Sequence, residues 1–237
     1  MIQTITRWIM AVALIAVGSI EMLAQIPAEV TEVMRKCSEK MENPAGTEID
    51  IKIHASMLVF KMNGQLTTWN KGEKSYTKGA ITMMGMTEPI EGGFDGQQEW
   101  EYKKVGDISK KVMDKSTMKG KKTNEVRDSL IIKKVAKKSK KDDDYSLDLD
   151  LDKEYRKAKM KEEGRYYVIT FSDRISKDSP KKAIAKIDKE KYYLREFTAT
   201  QSGVKMTMTV TRIKIGVPDN IFVLDTSKYQ DAVIVRK

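Results

Sequence analysis

The sequence has very few of the side chains that bind metals or form cross-links. It contains one cysteine, Cys37, and one histidine, His54, in 237 residues. A single cysteine cannot form an internal disulfide, and this pair cannot supply the clustered ligands of a zinc site. Metal catalysis through such ligands is therefore excluded.

Motifs of several enzyme classes are also missing. The chain has no P-loop, no GxGxxG fingerprint and no GxSxG elbow, and a Ser-His-Asp triad would have only His54 as its base. An EF-hand counted from Asp148 would have Lys153 where glycine is needed and Lys159 where glutamate is needed, so we expect no calcium site. We therefore expect a protein without cofactor or catalytic activity.

The first 24 residues have the pattern of an export signal. Arg7 precedes the apolar run Ile9 to Gly18, and an imperfect cleavage site at Met22 to Ala24 precedes Gln25. The apolar run, about ten residues, is too short for a hydrocarbon layer of ~30 Å. We expect a signal peptide over residues 1–24, a single mature domain over 25–237 and a periplasmic location, without a lipid anchor because Cys37 is not in a lipobox.

The net charge is strongly positive, at +10. Removal of residues 1–24 deletes one arginine, Arg7, and one glutamate, Glu21, so the mature chain keeps this charge. Export places the protein where nucleic acid is scarce. An anionic membrane surface or an acidic protein is therefore the expected partner, with no nucleic acid, and we expect a monomer.

Hydrophobic periodicity predicts one helix followed by strands. Residues 28–42 carry one apolar stripe at helical spacing: Val30, Val33, Met34, Cys37 and Met41. On that stripe Cys37 is expected to be a core residue rather than a reactive thiol. From Ile49 to Val59 the period is two, with His54 on the polar side, where an exposed or hydrogen-bonded histidine is expected.

Glycines in the next segment predict breaks between short strands. Asn63-Gly64 predicts a hairpin turn into Gln65 to Asn70. Further breaks are predicted at Lys71-Gly72, Lys78-Gly79 and Glu91-Gly92-Gly93, with a strand over Ala80 to Met86 and another after Phe94.

A charged insert is predicted over residues 103–150. Asn124 can cap a helix running to about Lys140, with Val126, Leu130 and Val135 near one side. Two interpretations of its lysines are open: a solvated helix face, or a contact with an anionic surface through Lys133, Lys134, Lys137 and Lys138. Leu147, Leu149 and Leu151 alternate with aspartates, as in an edge strand or a turn of a lid.

The two-residue period returns after residue 156. Strands are predicted over 156–161, 165–172, 182–188, 192–201 and 204–215, and Ile221 to Asp225 closes the chain. This order predicts an α+β fold, in which one helix and a lid pack on a strongly curved antiparallel sheet.

Several strand faces are apolar and rich in methionine. Twelve of the fifteen methionines lie after residue 24. These faces either fill a closed core or form a pocket that adapts to lipids of variable shape, because methionine is flexible. For the second interpretation the candidate cavity residues are Met57, Val59, Met84 (or Met83), Met86, Val204, Met206, Met208 and Val210.

Five segments, by their order and spacing, carry a family resemblance: the exported N-terminus, the helix at 28–42, the run 94–102, the hairpin 159–170 and the tail 216–222. Together they resemble periplasmic outer-membrane lipoprotein carriers of the LolA type. The resemblance implies an unclosed β-barrel of about eleven strands, lidded by helices, whose concave face holds lipoprotein acyl chains. It also implies loading by an inner-membrane ABC release complex and delivery to an outer-membrane acceptor.

The chain departs from the family at one functional position. The family carries an arginine on an early strand that ties down the lid, but no arginine occurs here between Arg35 and Arg127. The latch is therefore not carried over. The main hypothesis is a non-enzymatic carrier of lipoprotein or lipid acyl chains. The first alternative is a lipid-sensing or scaffolding barrel in envelope regulation. The second is a hydrolase, and the absence of a plausible Ser-His-Asp triad argues against it.

Overall fold

One curled sheet makes up most of the protein. The computed structural model describes residues 26–57, 60–105, 127–134, 151–177 and 179–236, and twelve strands lie within these ranges. The strands are β1 (Thr47–Met57), β2 (Phe60–Lys71), β3 (Lys74–Met83), β4 (Met86–Phe94), β5 (Gln98–Lys103), β6 (Ser129–Lys134), β7 (Tyr155–Glu163), β8 (Tyr166–Arg174), β9 (Lys182–Asp188), β10 (Leu194–Gln201), β11 (Val204–Ile215) and β12 (Val233–Arg236).

The helical elements are few among the described residues. The helix α1 (Ala28–Met41) precedes the sheet and confirms the helix predicted over 28–42. A single helical turn, Leu151–Glu154, precedes β7. Two 3₁₀ turns, Asp219–Phe222 and Thr226–Tyr229, precede β12.

The strand order leaves the sheet open. Hydrogen-bonded neighbours follow the order β12-β6-β5-β4-β3-β2-β1-β11-β10-β9-β8-β7. The strand β1 pairs with β11, so the two halves of the chain meet in the middle, and β12 and β7 form separate edges. Every pair is antiparallel except β12 with β6. The predicted fold class, an α+β fold with an unclosed, strongly curved antiparallel sheet and an N-terminal helix, is confirmed.

Side-chain alternation gives the sheet one buried face. On β1, Ile49, Ile51 and Ile53 are buried, whereas Lys52 and His54 on the other side are exposed. The buried stripe of α1 belongs to the same core as the isoleucines, and its members are Val30, Val33, Cys37 and Met41. We call the face that carries α1 the inner face and the opposite one the outer face. The His54 ring lies on the outer face, with its Nδ1 2.8 Å from Asn63 Oδ1, as the strand period predicted.

The strands of the second half follow the sequence pattern closely. The predicted strands over 156–161 and 165–172 are β7 and β8, joined at a turn where Gly164 has a positive φ of 55°. Those over 182–188, 192–201 and 204–215 are β9, β10 and β11. Each of these strands has one face in the core, so its sequence alternates.

Three glycine signals in the first half mark strand interiors, so their prediction as turns was wrong. Gly64 lies within β2 opposite Ile53, Gly79 lies within β3 opposite Leu66, and Gly92 lies within β4 opposite Thr77. The three glycines run diagonally across the inner face of neighbouring strands. Glycine inside a strand is typical of a sharp bend or a close approach of backbones, and both accompany curling.

The predicted strand over 80–86 is also interrupted. Met83 pairs with Met86 across a two-residue turn, Met84-Gly85, in which both residues have positive φ (53° and 76°). This is the pattern of a type I′ hairpin turn. The break predicted at Lys71-Gly72 is a turn, as expected.

The helix predicted from Asn124 to Lys140 is wrong where the structure describes it. Residues Ser129–Lys134 form β6, which pairs with β5, and the buried residues are Leu130 and Ile132 at a spacing of two. Burial of Leu130 and Ile132 against Trp100 and Tyr229 favours the strand over the helix. Arg127 and Asp128 precede β6 and are not helical either, whereas residues 124–126 and 135–140 lie outside the described residues, as do the signal segment 1–24 and Leu147 and Leu149.

The chain end forms a second small core on the outer face. The prediction that Ile221 to Asp225 closes the chain with a two-residue period is wrong, because its first part belongs to a 3₁₀ turn and the chain continues to β12. Tyr229 and Tyr76 both donate to the Glu91 carboxylate, at 3.0 and 2.7 Å. A Cβ on Gly93 would lie 3.1 Å from Trp100 Nε1, so glycine leaves room for the indole ring beneath the tyrosines.

A buried carboxylate holds the turn after β9. Asp188 is 1% exposed. Its Oδ1 accepts the backbone N–H groups of Glu190 and Lys191 at 3.1 and 3.0 Å, and its Oδ2 accepts Arg165 Nε and Nη2 at 3.2 and 2.5 Å. Burial acts to raise the pKa of Asp188, but the backbone N–H of Lys191 and the Arg165 guanidinium outweigh it and lower the pKa.

We expect Asp188→Asn to lower the free energy of unfolding by about 2–3 kcal/mol at pH 7, because charge-assisted hydrogen bonds are lost. A lowered folded-state pKa stabilises the protein above the unfolded value of about 3.9, and this contribution is lost as the pH falls through the folded pKa. The wild type and the variant should therefore converge in acid. Urea denaturation between pH 7 and pH 2 measures this. As a control, Asp219→Asn breaks an ion pair with Lys71 in which the carboxylate is exposed, and it should change stability little; an equal loss in both variants would contradict the assignment.

Candidate ligand-binding surface

A row of methionines crosses the inner face near one end of the strands. Met206 lies opposite Ala55, Ala55 opposite Met62, Met62 opposite Met83, and Met83 opposite Met86. Directly opposite residues in antiparallel strands point to the same face, with Cβ atoms about 5 Å apart. Met62 is buried and the other three are half-buried. We call Met62, Met83, Met86 and Met206 the methionine row.

The next two rows deepen this apolar surface. Met208, Ile53, Gly64 and Ile81 stand opposite one another on β11, β1, β2 and β3. Val210, Ile51, Leu66 and Gly79 form the following row on the same strands. All the side chains of these two rows are buried, and the glycines leave a strip without side chains between them.

The inner face becomes polar toward the opposite end of the strands. Thr47 Oγ1 donates to the Met41 carbonyl at 3.1 Å, and Thr77 Oγ1 donates to Thr68 Oγ1 at 3.1 Å. Asn70 and Ser75 lie in the same row as Thr47, one row beyond Thr68 and Thr77. The apolar surface therefore approaches solvent at the methionine row and not at the threonine end.

A charged sector limits the apolar surface on its other side. Glu88, Glu99 and Glu101 lie half-buried on the inner face of β4 and β5, opposite Ile81, Phe94 and Gly92. Lys133 Nζ on β6 lies 3.8 Å from Glu99 Oε2. The charged sector thus bounds the apolar region at β4 and β5, whereas beyond β11 the apolar side chains of the inner face continue through β10, β9 and β8.

The structure brings together most of the candidate cavity residues. Met206, Met208 and Val210 share the inner face with half-buried Val204 and Met86. Met84 lies at the tip of the β3–β4 turn and is 70% exposed. Met57 ends β1, and its side chain and Val59 lie outside the described part of the chain.

Met62 and Met83 belong to the row but are absent from the main set of sequence candidates. Met62 could not be assigned to this face from the sequence, because Asn63-Gly64 resembles a turn. In the structure β2 runs through these two residues, and Met62, Gly64 and Leu66 alternate along one face. Met83 was the second choice beside Met84, and only the position of the turn separates them.

The lysine surface predicted on the insert does not form one helical face within the described residues. Lys133 and Lys134 are both exposed, but they are adjacent on β6 and therefore point to opposite faces. Lys137 and Lys138 lie outside the described residues. Contact of these lysines with an anionic surface stays a prediction.

The one thiol is unsuited to nucleophilic chemistry. Cys37 is fully buried within α1, and burial raises the pKa of its thiol to about 12. The thiolate, which is the reactive form, is therefore negligible at neutral pH. Within the described ranges, no three histidine, cysteine or acidic side chains are grouped as metal ligands. None of the helices there has the length and hydropathy of a membrane span.

Several solved structures are similar to this chain. An uncharacterised conserved protein from Thermus thermophilus is 10% identical, with a TM-score of 0.51 over 88% of this chain and 99% of its own. The LolA superfamily protein NE2245 from Nitrosomonas europaea is 10% identical, with a TM-score of 0.32 over 82% and 97%. The MucA/MucB complex from Pseudomonas aeruginosa is 6% identical, with a TM-score of 0.37 over 84% and 62%.

The structures similar to this chain thus include a LolA-like protein. At these identities the likeness concerns the fold alone. No protein-family model matches the sequence, and comparison with curated proteins finds no match.

Proposed function

We propose that this protein is a non-enzymatic periplasmic carrier that shields acyl chains of lipoproteins or lipids and delivers them to the outer membrane. The observation that carries the proposal is the methionine row, which joins the buried apolar rows of the inner face to solvent. Methionine side chains adapt to chains of different shape. The periplasmic location rests on the predicted export signal and on the resemblance to LolA-type carriers, which also implies the ABC release complex and the acceptor.

The apolar surface is sufficient for useful affinity without polar recognition. Each methylene group transferred from water contributes about 0.8 kcal/mol, so partial burial of one or two acyl chains gives binding that remains reversible. The inner face offers apolar side chains on strands from both halves of the sheet. A carrier also needs release, and the exposed Met84 lies on the turn next to the methionine row. We propose that this side chain contacts the lipid surface during transfer.

The test is transfer of a fluorescent fatty-acyl ligand from the loaded protein to acceptor vesicles. We expect the ligand to reach the vesicles chemically intact, as measured by fluorescence and mass spectrometry. Met84→Ser should slow transfer several-fold without changing affinity, because it removes an exposed apolar contact outside the rows. Met84→Leu keeps that contact and should transfer at the wild-type rate.

The rival functions give different outcomes. Binding without transfer would contradict the carrier and support a lipid sensor or scaffold. Cleavage of the ligand would support a hydrolase. His54→Ala and Cys37→Ala should leave binding and transfer nearly unchanged, since His54 lies on the outer face and Cys37 is buried in α1. Loss of transfer in either variant, with the fold retained by circular dichroism, would count against the proposal.

A further inference from the structure

A cleft of about 350 Å³ opens on the outer face, where β8, β9, β10 and β11 lie side by side. It is on the opposite side of the sheet from the methionine row. Its polar lining residues are Arg165, Tyr166, Lys186, Arg195, Glu196 and Thr209. Three cationic side chains therefore surround the cleft with one carboxylate.

Two of the three cations already have an anionic partner. Arg165 is held by buried Asp188, with Nη2 2.5 Å from Oδ2, and its guanidinium carbon lies 5.7 Å from the centre of the Tyr166 ring. Lys186 Nζ lies 3.0 Å from Glu196 Oε1. These contacts neutralise both acidic groups near the cleft and fix the positions of the two cations.

The third cation, Arg195, lies at an irregularity in the pairing of β9 with β10. Leu194 pairs with Ile187 and Glu196 pairs with Lys186, so Arg195 is the extra residue of a β-bulge. Bulges typically redirect a side chain. Within the described ranges the half-buried Arg195 guanidinium has no ion-pair or hydrogen-bond partner, and the hydroxyl groups of Tyr166 and Thr209 have no hydrogen-bond partner either.

We propose that this cleft binds a phosphate group. Its available groups are donors: the planar guanidinium of Arg195, which matches two phosphate oxygens, and the hydroxyl groups of Thr209 on β11 and Tyr166 on β8. A phosphate group in the cleft would lie against Arg195, and Lys186 adds positive charge beside it. The cleft is distinct from the methionine row, because its polar side chains lie on the other face of the sheet and it shares only Val210 with the inner rows.

The surroundings favour an anion attached to a larger surface. Lys157, Lys159 and Lys161 are exposed on β7 and lie on the same face as the cleft, since Lys161 pairs with Val168 and Val168 with Lys186. The phosphate could belong to an anionic lipid headgroup or to a free phosphate. Both present the same chemistry to Arg195, so the experiment must separate them.

The test compares the wild type with Arg195→Gln and a matched control, Arg156→Gln. Arg156 is exposed on β7 outside the cleft, and both changes remove one positive charge. Inorganic phosphate is titrated by isothermal calorimetry, and cosedimentation is measured with phosphatidylglycerol and phosphatidylcholine vesicles at low and high salt. We expect Arg195→Gln to weaken phosphate-group binding at least tenfold and Arg156→Gln to change it less than twofold.

The two measurements, calorimetry with inorganic phosphate and cosedimentation with vesicles, identify the source of the phosphate. Loss of phosphatidylglycerol binding in Arg195→Gln assigns a lipid headgroup, whereas loss of inorganic phosphate binding alone assigns a free phosphate. Thr209→Val removes one donor without changing charge and should weaken the same arm several-fold. Equal weakening by Arg195→Gln and Arg156→Gln, or no binding by the wild type in either arm, would overturn the proposal.

Discussion

Replacing Gly79 by alanine is expected to cost about 3 kcal/mol or more in the free energy of unfolding, or to prevent folding. A Cβ at this position would lie 2.1 Å from the Gln65 carbonyl oxygen and 2.8 Å from Leu66 Cα. Both atoms are backbone atoms of β2, so no side-chain rotation relieves the collision. The strands β2 and β3 must then move apart in the middle of the inner face.

The control is Gly72→Ala at the β2–β3 turn. A Cβ there meets no atom within 4 Å, but Gly72 has a positive φ of 55°. The expected cost is the ordinary penalty of that conformation, about 1 kcal/mol. Urea denaturation followed by circular dichroism measures both variants. A cost for Gly79→Ala no greater than that for Gly72→Ala would show that the strands accommodate a methyl group and that the close approach is not required.

Gly79 also shows which part of the fold could not be predicted from the sequence. Alternating burial is a local property, so β1 and the strands from β7 to β11 could be predicted from their own residues. Whether a glycine ends a strand or bends it depends on the backbone beside it. Gly79 faces Gln65 and Leu66 on β2, and no pattern around Lys78 carries that information.

The strand β6 was mispredicted for a related reason. Six residues with two buried side chains fit either a helix or a strand, and abundant lysine favours the helix. The choice is made by Trp100 on β5, which packs against Leu130 and Ile132. That partner is about thirty residues away in the sequence, so its effect is tertiary and outweighs local propensity.

The candidate site was partly predictable for the same physical reasons. Met206, Met208 and Val210 alternate with polar residues on one strand, so their common face could be inferred. The methionine row also needs Met62 and Met83, whose alignment depends on the register of three hairpins. The cleft at Arg195 was not predicted, because it depends on a bulge and on four strands in register.

Met208→Lys is expected to reduce stability by about 4 kcal/mol at pH 7, because the side chain is buried and an ammonium group loses its hydration there. Met208 is 2% exposed, opposite Ile53 and Phe197. Burial depresses a lysine pKa, so the unfolded state binds more protons and the loss should shrink as the pH rises toward about 10. Thr207→Lys, on the outer face of the same strand, should change stability little. Urea denaturation at pH 7 and pH 9.5 compares the two variants.

The same substitution should abolish binding of the acyl ligand, since it places a charge in the row behind the methionines. If Met208→Lys does not fold, the triple change of Met83, Met86 and Met206 to Gln carries the test. Each amide replaces a half-buried apolar side chain of similar length, at roughly 1 kcal/mol of lost ligand contact. The sum corresponds to about a hundredfold weaker binding. The matching triple change to Leu keeps the apolar surface and should bind within a few-fold of wild type. Retained affinity in the folded glutamine variant would place the ligand elsewhere than on the inner face.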